Sequence, residues 1–268
     1  MWQAPPAPVS SEWLPVLDMP AAGPQSRWTV LLRFLLLIPQ FVVVWLLSVV
    51  AFFVTVIGWF GALVLGRLPA FVADYLTAYL PYDTRVTAYL MLTVDRYPPF
   101  RFRAPEYPVQ VELRPGELNR LAVLFRIILV IPASIVQGLV YAGWWLVSFI
   151  IWLVVLILGR MPQALYEATT AIVRYRMRYL VMLTSAYPKR LFGEEPGSEP
   201  ERVSATRPLV LSGAGRGLVV LFLLLGAVSW ATSSVTASVN NDDNDDDNGP
   251  NPTQRVMAPL VPGPADQG

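Results

Sequence analysis

Two charged pairings hold the most chemical potential in this sequence. Arg67 and Asp74 are seven residues apart, and so are Arg160 and Glu167. Seven residues make two helical turns, so on a helix each pair shares a face. There it would form a structural ion pair, or grip a lipid phosphate and a partner. Arg174, Arg176 and Arg178, interleaved with Tyr175 and Tyr179, make a denser cationic stretch. An arginine near an anionic membrane surface contributes about 1 kcal/mol, so anionic headgroups are the expected contact. Tyrosine with arginine also suits single-stranded nucleic acid, but the flanking residues are apolar and no nucleic-acid partner is expected. Arg33 and Arg126 lie inside otherwise apolar stretches, where a mid-bilayer arginine costs about 2.5–3.5 kcal/mol. Both stand near the start of their stretch, so they are expected to snorkel to the headgroups.

Other chemistries are excluded or unsupported. The chain has no cysteine and no histidine, which removes disulfides, thiolate or imidazole metal sites and catalysis by either residue. Five aspartates between Asp242 and Asp247 resemble a calcium-seeking array, but the glycine and terminal glutamate of an EF-hand loop are missing. They read as a solvated acidic tail. The phosphate loop, the dinucleotide glycine fingerprint, GxSxG and HExxH do not occur. The expectation is a non-enzymatic protein with no catalytic residue, cofactor or metal.

The elements that would position these residues are apolar. Only 15% of the 268 residues are charged, against about 25% in an ordinary soluble domain. No charge occurs between Arg33 and Arg67, or between Arg126 and Arg160. Runs this long read as membrane segments. They belong to a duplication: with a shift of 93 residues, Arg27 falls on Arg120, Arg33 on Arg126, Trp59 on Trp152, and LVLGRLP (Leu63–Pro69) on LILGRMP (Leu156–Pro162). After a short deletion, Arg85 falls on Arg176 and Tyr97-Pro98 on Tyr187-Pro188. Each copy has an extended lead-in, an apolar run and a mixed tyrosine, arginine and leucine stretch suited to a helix at headgroup level. Two copies of this length form a pseudo-symmetric membrane pair rather than a solenoid.

Thirty-three uncharged residues make a helix of about 50 Å, against a hydrocarbon core of about 30 Å. Each run is therefore expected to bend, with Pro39 and Pro132 as kink points. A hairpin is preferred to a single span with an interfacial lead-in, because hairpins place both arginine-rich loops in the cytoplasm. Apolar glycines such as Gly58, Gly61 and Gly66 would permit close packing. A last segment, Gly217–Val239, follows Arg202, Arg207 and Arg216 and precedes the acidic cluster, which orients its start inward and its end outward. The start of the chain lacks the basic region of a secretory signal.

The expected fold is an all-α membrane protein: two units, each an apolar helical hairpin plus an interfacial amphipathic helix, and one C-terminal transmembrane helix. The expected boundaries are a disordered tail 1–13, repeats 14–103 and 104–192, a cytoplasmic linker 193–216, a transmembrane helix 217–239 and a disordered acidic, proline-rich tail 240–268. Expected partners are the bilayer, with anionic lipids, and a membrane-protein partner or second copy.

YPVQV at Tyr107, Ile38-Pro39 and Ile131-Pro132, the GRLP and GRMP stops, and DRYPPF at Asp95–Phe100 together resemble the actinobacterial membrane family called domain of unknown function 4389. The likeness covers about residues 15–188 in two copies. The first lead-in has changed to LPVLDMP and the second copy ends SAYPKR. The resemblance implies a multi-pass protein of the bacterial plasma membrane, and it assigns no activity, ligand or site residue.

Overall fold

The computed structural model describes residues 16–113, 120–182 and 211–247. The tail 1–13, most of the linker, the SAYPKR segment and the tail from 248 onward lie outside the described residues. In chain order the elements are strand β1 (Val16–Asp18), helices α1 (Arg27–Leu65) and α2 (Ala70–Leu90), strand β2 (Gln110–Glu112), and helices α3 (Arg120–Leu158), α4 (Gln163–Leu180) and α5 (Gly213–Asp247). The fold is mostly helical. The extended lead-ins meet as a short antiparallel ribbon, with Val16 opposite Glu112 and Asp18 opposite Gln110.

The repeated GR-apolar-P motif is a stop followed by a restart. Gly66 and Gly159 end the long helices in the left-handed region, at φ 71° and 66°. Their N–H groups close on the carbonyls of Ala62 and Val155. A side chain there would be strained, which is why glycine occupies both sites. Pro69 and Pro162 then stand at the N-caps of α2 and α4 with ψ near 140°.

Each apolar run corrects the hairpin expectation. From Arg27 to Leu65, and from Arg120 to Leu158, the chain is one unbroken helix of 39 residues. The midpoints WLLSVVAFF and LVYAGWWLV hold no turn-forming pair, and an uninterrupted helix keeps its backbone groups bonded, as lipid demands. Pro39 and Pro132 are accommodated inside it. Three helices are long and apolar enough to cross a membrane: Arg27–Leu65, Val123–Leu158 and Gly213–Ser233.

The two copies pair element by element. β1 packs on β2, α1 on α3, and α2 on α4, each on its own counterpart. The long helices lie head to tail. Trp59 Nε1 donates to the Val123 carbonyl at 3.0 Å, and its counterpart Trp152 donates to Val30, the counterpart of Val123, at 2.8 Å. Such reciprocity defines a pseudo-twofold axis between the copies.

α2 runs back along α1 in steps of seven residues. The Tyr75 hydroxyl donates to Leu47, Tyr82 bonds Gln40, and Arg33 donates to the Tyr89 carbonyl. Neither α2 nor α4 lies as an interfacial amphipathic helix. Residues 82–94 and 168–175 are buried on every face. The lipid-compatible surface is supplied instead by α1 and α3, whose Trp45, Phe52, Phe149 and Ile150 are exposed. With that surface provided, the polar stretches are free to turn inward and satisfy one another.

α5 begins earlier than expected and runs on through the first eight residues of the acidic tail. Up to Gly226 it belongs with the duplicated core; from Ala227 the chain forms a second unit. The first part crosses α3 at two reciprocal glycines. A Cβ on Gly143 would stand 1.8 Å from the Phe222 carbonyl oxygen, and one on Gly226 would stand 1.9 Å from that of Leu139. Small residues let the two backbones touch. Gly143→Leu should therefore cost at least about 1–3 kcal/mol through overpacking, whereas Gly138→Leu, with nothing within 4 Å, should be neutral. Thermal unfolding in detergent micelles reads the difference, and equal melting of the two variants would contradict the crossing.

Candidate functional site: arginines buried between the copies

The arginines singled out from sequence do not line the surface. Arg33, Arg126, Arg174 and Arg178 are at most 3% exposed, and Arg176 is partly buried. The headgroup and snorkelling placements are corrected accordingly: Arg33, Arg126, Arg174 and Arg178 are buried within the fold.

Arg33 sits on the inner face of α1, where Val30, Arg33, Leu37 and Gln40 follow helical spacing. Its guanidinium donates to Asp95 and Gln25 Oε1 at 3.2 Å each and to the Tyr89 carbonyl at 2.7 Å. It also stacks 4.3 Å over the Tyr89 ring. Asp95 accepts in addition from the Ser26 N–H at 3.0 Å and from the Thr29 hydroxyl. A carboxylate there satisfies free N–H groups at the start of α1 and complements the helix dipole. The aspartate of DRYPPF thus closes the first copy onto its own first helix. In the second copy the aligned residue is Ser185.

A second ion pair joins the copies. Arg176 on α4 meets both oxygens of Asp83 on α2, at 2.8 and 3.1 Å, and Asp83 is 1% exposed. Thr87 accepts from Arg176 at 3.4 Å, and the Tyr141 ring lies 6.0 Å from its guanidinium carbon. The pseudo-axis exchanges Arg176 with Arg85 and Asp83 with Arg174. The mirror-image bridge would therefore set arginine against arginine, and it does not form. Arg85 donates instead to the carbonyls of Arg101, Phe102 and Pro81 at 2.6–3.0 Å, and Arg174 reaches the Leu17 carbonyl in β1 at 3.5 Å. Burial pulls Arg85 below its ordinary pKa, whereas the Asp83 carboxylate holds Arg176 above it.

The i, i+7 pairs do not form as ion pairs. Arg67, Arg160 and Asp74 are exposed, and none has an ion-pair partner among the described residues. The reason is local. Each arginine follows the left-handed glycine and precedes the next helix, so the helical face relation does not reach it. Glu167 bonds elsewhere: it accepts from the Ser212 N–H and hydroxyl at 2.9 and 2.6 Å and from Gln163 at 3.1 Å. Ser212 Oγ in turn accepts from the Gly215 N–H at 3.1 Å, the geometry of an N-cap for α5. Glu167 thereby tethers the start of α5 to α4.

Exposed arginines gather at the ends of the α1–α3 pair. At one end Arg27 donates to the Ile157 carbonyl and Pro24 bridges to Arg160. At the other, Arg120 lies against Gly66, next to Arg67. All four are exposed.

These features define a helical, multi-pass membrane protein built on an internal duplication. The family model for "Domain of unknown function (DUF4389)" matches residues 27–101 and again 120–191, and the chain belongs to that family, with two tandem copies. No curated protein and no solved structure matches the chain.

The Ser212 hydroxyl and N–H hold the Glu167 carboxylate below its ordinary pKa. A carboxylate with a depressed folded pKa stabilises above its unfolded value of about 4.3 and loses that contribution as pH falls through the folded value. Protection of residues 211–216 against hydrogen exchange, taken relative to the intrinsic rate at each pH, should therefore fall in that acid range, and Glu167→Gln should flatten the pH dependence. Equal pH dependence in both chains would contradict the tether.

Proposed function

We propose that this is a non-enzymatic plasma-membrane protein, a scaffold or accessory subunit that holds anionic lipids and protein partners at the rims of its duplicated core. The supporting observation is the exposed arginine collar at each end of the α1–α3 pair, Arg27 with Arg160 and Arg67 with Arg120, bounding an apolar belt. Trp28, 74% exposed, stands beside Arg27 and suits a membrane interface. In this reading α1 and α3 cross once each in opposite directions, because each begins where the other ends, and α5 makes the third crossing. The N-terminus is then cytoplasmic and the acidic tail is outside. Arg85, Arg126, Arg174, Arg176 and Arg178, which argued for hairpins as loop charges, are held inside the protein and count for neither side.

A small transporter is the second reading, supported by the head-to-tail pairing, since many transporters are built from inverted repeats. Against it, the hydroxyls of Ser48, Ser134 and Ser148 each donate to a carbonyl three residues back on their own helix, leaving few polar groups to line a path. A lipid-acting enzyme using Asp74 and Glu167 has less support, because Glu167 is engaged by Ser212.

Co-purification of phosphatidylglycerol against phosphatidylcholine, read by native mass spectrometry, tests the collar. Arg67→Gln with Arg160→Gln removes one cation from each end. At about 1 kcal/mol per arginine, the preference for the anionic lipid should fall about thirtyfold. An unchanged preference would overturn the reading.

A further inference from the structure

An inverted pair of similar copies has little charge asymmetry with which to orient itself. Six of the twenty basic residues, Arg33, Arg85, Arg126, Arg174, Arg176 and Arg178, are held within the fold. If each long helix crosses once, the remaining fourteen divide seven and seven. One set accompanies the N-terminus and residues 159–216, and the other accompanies residues 66–122 and the C-terminal tail. Near the helix ends Arg27 and Arg67 balance α1, whereas Arg101, Arg103, Arg114 and Arg120 precede or open α3 and Arg160, with arginines held inside the fold, follows it. The positive-inside bias, which counts lysine and arginine near helix ends, is therefore neutral on α1 and on α3 opposes the crossing proposed above.

α5 is different. Arg202, Arg207 and Arg216 precede it, and from Gly217 onward no cation occurs before Arg255. It is also fastened to the second copy twice, by the Gly143–Phe222 and Gly226–Leu139 contacts and by the Glu167–Ser212 tether. Among the described residues the first copy has no such companion. At the positions matching Leu139 and Gly143 it carries Leu46 and Val50, both exposed, and the valine side chain would block the close backbone approach.

We propose that α5 is the element that orients the duplicated pair in the membrane: its arginine flank fixes its own direction, and the glycine crossing imposes that direction on α3 and, through the head-to-tail pairing, on α1. This rests on the inverted crossing proposed above. A charge signal at the end of a chain is physically sufficient, since C-terminal charges can flip a whole topology.

The chain lacks cysteine, so single cysteines in the full-length protein report sidedness through a membrane-impermeant maleimide applied to intact cells. The exposed loop position Glu106→Cys should label from outside, and Gly197→Cys should not. With Arg202, Arg207 and Arg216 all changed to Gln, the remaining cations divide four and seven against the original orientation, so labelling should shift from Glu106→Cys towards Gly197→Cys. Gly143→Leu with the arginines intact should also mix the orientations. One-sided labelling retained in the triple-Gln chain overturns the role of α5 while leaving the inverted crossing intact. Labelling of both positions from the same side in the otherwise unaltered chain overturns the inverted crossing itself, and the inference with it.

Discussion

The ion pair between Asp83 and Arg176 sits where α2 meets α4, and its burial dictates much of what surrounds it. A carboxylate at 1% exposure can stay ionised only with a close partner and further hydrogen bonds. Arg176 supplies the first, in two-oxygen geometry. Around it Arg33, Arg85 and Arg174 are met by carbonyls, tyrosine faces and Asp95. A polar centre of this kind needs a wrapping, and the long apolar helices provide it. The outcome inverts the usual soluble arrangement, with guanidinium groups inside and tryptophan, phenylalanine and leucine outside.

Duplication explains both the symmetry and its failures. Element-by-element pairing, β1 on β2, α1 on α3 and α2 on α4, is what two identical units would do about a twofold axis. Two identical units would also make two reciprocal bridges. Here the second copy carries Arg174 where the first carries Asp83, so one bridge exists and Arg85 has moved to backbone carbonyls. The second copy likewise has Ser185 for Asp95, and Gly143 for Val50. The last exchange opens the α3 surface to α5. Divergence has thus made one copy the seat of a further helix, while its counterpart surface on the other copy is exposed.

Much of this architecture was legible in the residues. The duplication, the helical class, the extended lead-ins and the stop at each GR-apolar-P motif follow from spacing and from the conformational needs of glycine and proline. The direction in which a polar face looks was not legible. Tyrosine, arginine and leucine at helical spacing read alike whether a helix floats at the headgroups or lies between two others. The hairpin expectation failed for a related reason, since it used arginines as loop charges that the fold in fact buries. Asp83 escaped notice although a signal existed: an acid aligned with an arginine, two residues from an aligned arginine pair. The tether from Glu167 to Ser212 joins residues 45 apart through a linker with no periodicity, and no local pattern announces it.

The most direct test of the central claim is a double-mutant cycle on Asp83→Ala and Arg176→Ala, read as unfolding free energy in detergent micelles. If the buried pair clasps the two copies, each single change should cost about 3–5 kcal/mol and the double change little more than either, because each single change strands a buried charge. Single losses of about 0–1 kcal/mol that simply add, as at an exposed surface pair, would contradict the account.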